Sequence, residues 1–181
     1  MKYIVLFLKK TARILLKPLS FIPALLMMYL IFSMSAQNAD ESAGLSLKIS
    51  QILVVIYNRV KELNLNEYET LNLVIRIHPY VRKAAHMTEY FLLALSVGLP
   101  LYVYRIRGIR LFILDMFICV AYAFLDEYHQ TFVSGRVGDY RDVMIDAAGA
   151  FIGVITVSIL CAAGKKTVFA PLSLDKYEIR R

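Results

Sequence analysis

The sequence predicts an all-α integral membrane protein: a bundle of four transmembrane helices with an amphipathic helical segment between the first two. The first observation behind this is composition, since 59% of the 181 residues are hydrophobic and 19% are charged. A soluble domain is about 45–50% apolar and about 25% charged. The second is a set of four long apolar runs. The third is that polar side chains cluster at the ends of these runs.

The four apolar runs lie at about 19–36, 86–104, 111–128 and 143–163. Each approaches the ~20 residues that a helix needs to cross the hydrocarbon core of a bilayer. Barrel strands are much shorter and alternate in polarity, so these uniformly apolar runs indicate helices. At this length we expect a single domain covering residues 1–181.

Basic residues set the expected topology. Positive charges flank the first run on its N-terminal side, fill the short link after the second run, and follow the fourth: Lys2, Lys9, Lys10, Arg13 and Lys17; Arg105, Arg107 and Arg110; Lys165, Lys166, Lys176, Arg180 and Arg181. The positive-inside rule places these regions in the cytoplasm, together with both termini. Net charge +7 then reflects topology and anionic lipid, and no nucleic-acid partner is expected. The alternative is a signal peptide with its apolar region at 19–32 and cleavage near Ala36.

The segment 42–80 is predicted to be helical. Apolar residues step by three and four through 45–63, which is typical of an amphipathic helix. Asn66 and Glu69 have the spacing of a capping box that opens a second helix, and Pro79 is expected to end it. This extracytoplasmic insert is predicted to act either as a packed structural cover or as a substrate lid. His78 is expected at its surface.

Helical spacing groups the polar residues at the predicted outer end of the bundle. Arg82, His86 and Glu89 share one helix face, as do Asp126, His129 and Gln130. On the fourth run a stripe contains Asp142, Asp146, Gly149 and Gly153, and the two glycines form a motif that allows close helix contact. A buried acid near a span centre costs ~2.5–3.5 kcal/mol on insertion scales, which favours a shared polar cleft over separate exposure to lipid. The alternative is an ion-pair network that only fixes helix register. Asp115 stands apart, and we expect it to pair with Arg110 or to reach the interface.

Two long motifs resemble the VanZ-like membrane proteins. They read Arg82-Lys83-x-x-His86-x-x-x-Tyr90 and Tyr122-Ala-x-x-Asp126-Glu127-x-His129-Gln130-x-Phe132-Val133-x-Gly135-Arg136, and Asp142-Val143, Gly149 and the run Phe32-Ser33-x-Ser35-x-Gln37 are also similar to that family. The resemblance runs from about residue 30 to 155. It implies a bacterial cell-envelope protein that lowers susceptibility to teicoplanin-type glycopeptide antibiotics. Ser134 and Asp146 depart from the family pattern, which often has Pro and Asn there.

Three chemistries fit the cluster. The first is recognition of an amphiphilic, lipid-linked envelope component, in which Arg and Lys bind phosphate or carboxylate while polar side chains bind hydroxyl, amide or amine groups. The ligand-binding residues would be Ser33, Gln37, Arg82, Lys83, Tyr90, Gln130 and Arg136. The second is a hydrolase or transferase, in which a carboxylate strengthens a histidine as general base. The catalytic residues would be His86, Glu89, Asp126, Glu127, His129 and Asp142.

The third chemistry is a divalent metal held by oxygen-rich ligands, but no metal-binding motif is present and no cofactor is expected. A transporter or purely structural module is a further alternative, although the sequence shows no inverted repeat. We therefore expect an outward-facing polar cleft that binds or modifies an outer-leaflet lipid. The sequence does not decide between an enzyme and a binding protein.

Overall fold

The computed structural model describes residues 17–136 and 138–164, and this part of the chain contains helices and no strands. A 3-10 turn at Lys17–Phe21 precedes five α-helices: α1 (Ile22–Ser35), α2 (Ala39–Lys61), α3 (Glu67–Val103), α4 (Ile109–Gln130) and α5 (Tyr140–Gly164). The all-α prediction is confirmed. The basic residues at 1–13 and 165–181, on which the predicted topology partly rests, lie outside the described residues.

Three segments are long and apolar enough to cross a membrane: Lys17–Ser35, Glu67–Val103 and Tyr140–Ala162. They correspond to the first, second and fourth predicted spans. The third predicted span corresponds to α4, whose 22 residues have sufficient length. Its charged residues, Arg110, Asp115, Asp126 and Glu127, lower its apolar character. The described residues therefore contain three clear candidate spans rather than four.

Helix α3 is continuous through Pro79, so the prediction that this proline ends a short helix within the 42–80 insert is wrong. The capping box that opens the helix is confirmed, because Asn66 Oδ1 accepts from the Glu69 amide at 2.9 Å and Glu69 Oε2 accepts from the Asn66 amide at 2.9 Å. The helix has 37 residues, or about 55 Å at 1.5 Å per residue. Pro79 is exposed, so the carbonyl that loses its helical donor is not sealed in a dry core.

Contacts with α2 stabilise the N-terminal half of α3 around this proline. Ser46, Ser50 and Val54, spaced by four residues, are buried on the face of α2 that packs on α3. Ser46 Oγ lies 2.8 Å from His78 Nε2 and also donates to the Ala43 carbonyl at 3.0 Å. His78 is therefore half-buried at a helix contact, and the expectation that it lies at the surface is wrong.

The α2 helix starts earlier than predicted and ends slightly earlier, covering 39–61 rather than 45–63. Its end is a Schellman-type cap in which Glu62 has φ +50° and the Leu63 amide donates to the Asn58 carbonyl at 3.2 Å. The short link to α3 makes the two helices an antiparallel hairpin.

Helix α3 packs against every other helix, and its closest neighbour is α5. A Cβ added at Gly149 would collide with the Met87 carbonyl oxygen, and one at Gly153 would lie 2.6 Å from the Phe91 carbonyl oxygen. The predicted role of these glycines in close helix packing is confirmed. The core between α3, α4 and α5 is apolar and includes Leu93, Ala94, Cys119, Ala123, Ala150 and Val154.

Asp115 lies inside this contact region, contrary to the expectation that it pairs with Arg110 or reaches the interface. Its residue is 0% exposed, and Oδ1 accepts from Cys119 Sγ at 3.6 Å. A Cβ at Gly98 would lie 3.0 Å from its Oδ2. The reason is helical phase: Asp115 shares the inward stripe of Leu111 and Cys119, whereas Arg110 is exposed.

We predict that Gly149→Ala destabilises the fold because a methyl group has no space against the α3 backbone. Overpacking a well-packed core costs about 1–3 kcal/mol, so the detergent-purified variant should melt several degrees below wild type. Gly44→Ala is the matched control, since nothing lies within 4 Å of a Cβ there and alanine is the better helix former. Equal melting temperatures for the two variants would contradict this packing.

Candidate functional site

The polar side chains meet at one end of the helical bundle, where α1 and α4 end and α5 begins. We call this the polar end; it comprises 33–37, 82–90, 126–136 and 139–146. A cavity of about 350 Å³ opens there. It is lined by Ile31, Met34, Ser35, Gln37, Leu45, Ser46, Ile49, Val81, Arg82, Ala85, His86, Glu89, Asp126 and Arg136. Its wall is thus apolar on one side and charged on the other.

Asp126 forms part of the cavity floor. The residue is 4% exposed, and Oδ2 accepts from Gln130 Nε2 at 3.1 Å. This bond joins side chains one helical turn apart, so Gln130 orients the carboxylate from within α4. Ser35 of α1 lies against the same carboxylate and interacts with it. The carboxylate is therefore oriented from α4 and faces α1.

Glu127 has a different position from its neighbour. Its Oε2 accepts from the Asp139 amide at 3.0 Å, and the residue is 7% exposed. The bond spans the turn that leads from α4 to α5, in which Gly135 has φ +77°, a conformation that glycine adopts at low cost. Glu127 does not line the cavity. It holds the turn that carries Arg136.

Arg82 and Arg136 bring two guanidinium groups to the cavity wall. Nε and Nη1 of Arg136 are buried and have no hydrogen-bond partner among the described residues. Burial and the neighbouring charge of Arg82 lower the pKa of Arg136, while Asp126, Glu127 and Glu89 oppose this shift. An arginine stays protonated at neutral pH even so. Buried, charged donors without partners are the strongest feature of the site.

Two further acids and a histidine lie on the facing helices. His86 Nδ1 is 3.6 Å from Glu89 Oε2, which is slightly longer than a hydrogen bond, and both residues line the cavity. Lys83 Nζ lies 3.8 Å from Asp142 Oδ1 in a pair that is largely exposed. Such an exposed pair contributes little to stability.

Tyr90 and Asp146 are buried behind the cavity wall. They are 0% and 1% exposed, and neither the tyrosine hydroxyl nor Asp146 Oδ1 has a hydrogen-bond partner in the described part of the chain. Asp146 is close enough to Asp126, Glu127 and Glu89 to interact electrostatically. The residue that departs from the family pattern therefore points into the bundle.

The predicted site residues divide into three groups. Those that line the cavity are Gln37, Arg82, His86, Glu89, Asp126 and Arg136. Those buried behind it are Tyr90, Glu127 and Gln130. The rest lie elsewhere: Ser33 donates to the Leu30 carbonyl of its own helix, the His129 ring packs at a tilt against Phe32 with centroids 4.6 Å apart, and Lys83 and Asp142 pair with each other.

The sequence predicted that the 42–80 segment covers the cleft, but it did not identify the α2 residues that line the cavity. Leu45, Ser46 and Ile49 line it, and the serines at 46 and 50 mark the inward face of that helix. Their spacing of four residues was the available signal. In the described residues no group of three His, Cys, Asp or Glu side chains has a geometry that could hold a metal ion.

An all-helical protein with long apolar helices and a charged cavity at one bundle end belongs to the class of polytopic membrane proteins with an internal polar site. The family model for VanZ/LLP1 matches residues 20–161, and the chain belongs to that family. Among curated proteins and solved structures, no match was found.

We predict that Glu127→Ala loosens the turn between α4 and α5. A hydrogen bond to a charged group contributes about 1.5–3 kcal/mol, so the Asp139 amide should exchange with deuterium at least about tenfold faster. Hydrogen exchange read by mass spectrometry would measure this. Lys83→Ala removes an ion pair with Asp142 that contributes little to stability, and it is the control. Unchanged protection in Glu127→Ala would show that the carboxylate does not hold the turn.

Proposed function

We propose that this VanZ-family protein binds a phosphate-bearing, lipid-linked component of the cell envelope in its polar cavity, and thereby lowers susceptibility to teicoplanin-type glycopeptides. The observation that carries the proposal is the pair of guanidinium groups on the cavity wall. Neither Arg82 nor Arg136 forms an ion pair with another described residue, and two Arg136 nitrogens are buried without partners. Guanidinium groups make paired, charge-assisted bonds to phosphate.

The rest of the lining supports an amphiphilic ligand. Glu89 and Asp126 offer acceptors for hydroxyl, amide or amine groups of a headgroup. The apolar wall formed by Ile31, Met34 and Val81 suits hydrocarbon. Membership in the VanZ/LLP1 family supports a role in the envelope, and the glycopeptide phenotype follows from the resemblance described above.

The proposal includes α4 as a fourth membrane crossing, with the polar end outside. Helix α4 has the length of a span, and its acids point into the bundle rather than towards lipid, since Asp115, Asp126 and Glu127 are all buried. The exposed residues of its other face are apolar and include Ile113, Phe117 and Phe124. An even number of crossings would put both termini on the same side as the basic link at 105–110, which the positive-inside rule assigns to the cytoplasm.

A second candidate function is a membrane-embedded hydrolase or transferase acting on the same class of lipid. The observation that favours it is the approach of His86 Nδ1 to Glu89 Oε2 within the cavity. A carboxylate can orient an imidazole so that the other ring nitrogen accepts a proton, and apo geometries of this kind are often loose.

We predict that Arg82→Gln, Asp126→Asn and Glu127→Gln each reduce teicoplanin protection in a sensitive bacterium. Losing a charge-assisted bond costs about 1.5–3 kcal/mol, which is roughly a tenfold or greater loss of affinity. Arg107→Gln removes a charge at the opposite end and should retain protection. Minimal inhibitory concentrations at matched membrane levels would measure this. Full protection from all three variants would refute the proposal.

Binding and catalysis predict different envelope chemistry. Mass spectrometry of envelope lipids and precursors, with and without the protein, separates them. A pure binding protein should leave the covalent species unchanged. A new species that disappears in the His86→Ala variant would establish the enzyme and replace the binding mechanism.

A further inference from the structure

We infer that the ligand reaches the polar cavity sideways from the membrane, through a gap between α1 and α2, and that it is a lipid whose phosphate lies close to its hydrocarbon chain. This inference rests on the proposed function, because it assumes a phosphate at Arg82 and Arg136. It adds the route of the ligand and the role of α2.

The exposed part of the cavity wall locates the gap. Met34 on α1 and Leu45 and Ile49 on α2 are the exposed apolar residues of the lining. The buried residues of the lining are Ile31, Ser35, Ser46 and Asp126. The charged residues Arg82, Glu89 and Arg136 are less exposed than the rim. The rim is therefore mainly hydrocarbon, and the charged groups lie deeper. A cavity that admits a ligand from water would instead be expected to have polar residues at its entrance.

The outer surface of α2 continues this apolar rim. Its inward face carries Ser46, Ser50 and Val54, whereas a second face carries large exposed apolar side chains at a spacing of three and four: Leu45, Ile49, Ile52, Ile56 and Val60. The small polar residues thus contact the protein and the large apolar ones point away from it. Exposed apolar stripes of this size mark contact with lipid or with another apolar surface.

The basic residues of α2 explain why lipid is the occupant we commit to. Lys48 and Arg59 are exposed along one edge of the apolar stripe, and Gln51 lies on the polar face, away from the stripe. A helix whose apolar face is bordered by basic and polar side chains has the pattern of an amphipathic helix lying at the membrane interface. With α2 in that position, Leu45 and Ile49 border both the lipid and the cavity.

The change from apolar residues at the rim to charged residues deeper in the cavity then indicates the class of ligand. A hydrocarbon chain at Met34, Leu45 and Ile49 would lead directly to a phosphate at the two guanidinium groups. A soluble phosphate compound would satisfy the arginines and gain nothing from the rim. We therefore expect the intact lipid to bind much more tightly than its water-soluble headgroup.

The first test compares two acidic substitutions on the same helix. Full-length protein in maltoside detergent micelles, which carry no phosphate, is assayed with dioleoyl phosphatidic acid and with glycerol 3-phosphate. Ile49→Glu places a charge at the rim, and should weaken phosphatidic acid binding about tenfold, the effect of about 1.4 kcal/mol. Gln51→Glu adds the same charge to the polar face and should leave it unchanged. Glycerol 3-phosphate should bind far more weakly than the lipid.

Several results would overturn the inference. They are equal affinity for the soluble and lipid phosphates, and equal effects of Ile49→Glu and Gln51→Glu on lipid binding. The proposed function is tested separately, by measuring the binding of both phosphate compounds to the Arg136→Gln variant. If that variant binds both phosphates as wild type does, the arginines hold no phosphate and the proposed function fails.

A second measurement does not depend on the acidic variants folding. A photo-crosslinking amino acid replaces Ile49 or, as control, Phe117, which is exposed on α4 away from the cavity. Irradiated cells should yield phospholipid adducts at both positions, but only those at position 49 should fall in an Arg136→Gln background. The inference would be wrong if the adduct yield at position 49 equalled that at position 117 and did not change in the Arg136→Gln background. The rim would then contact bulk lipid only.

Discussion

The close contact between α3 and α5 is the constraint on which the rest of the structure depends. Gly149 and Gly153 let the α5 backbone lie directly on the carbonyl groups of Met87 and Phe91. Apolar side chains alone give little drive for helix association in lipid, so close backbone approach and dispersion contacts have to supply it. The same face of α5 continues towards the polar end, where it carries Asp146. Packing the glycines therefore places this acid opposite Glu89 and Tyr90, away from lipid.

In the described part of the chain, the acids of the polar end lie near the arginines without forming ion pairs with them. Glu127 is occupied by the backbone of the turn, and Asp126 is oriented by Gln130. Neither forms an ion pair with Arg82 or Arg136 within 4.0 Å in the described structure. A buried charge without a close partner is costly. Longer-range attraction from the acids reduces that cost, while leaving Arg82 and Arg136 without a close acidic partner in the described structure.

The sequence predicted the all-helical fold, the capping box of α3 and the close helix contact at Gly149 and Gly153. It also predicted six of the residues that line the cavity. These features follow from the helical period and from local backbone geometry. It failed where tertiary contact overrode a local signal. Pro79 does not end α3, since α2 supports the helix around it through Ser46 and His78. Asp115 is buried because it lies on the inward face of α4. Arg110 is close to it in sequence but lies on the exposed face of the same helix.

The sequence predicted that the 42–80 segment covers the cleft, but the face of α2 that lines the cavity could not be predicted, for a different reason. An amphipathic pattern shows that a helix has two faces, but it does not show which one meets the protein. Here the serine face does, and the apolar face remains exposed. Only the three-dimensional arrangement shows that α2, packed in this way, forms one side of the cavity entrance.

The most direct measurement of the central claim is native mass spectrometry of the full-length protein released from membranes with its bound lipids. The account predicts a tightly retained phosphate-bearing lipid in wild type, lost in the double variant Arg82→Gln, Arg136→Gln. It should be retained in Arg105→Gln, Arg107→Gln, which removes the same charge from the opposite end. Retention of the same lipid by both double variants, or its absence from wild type, would contradict the account.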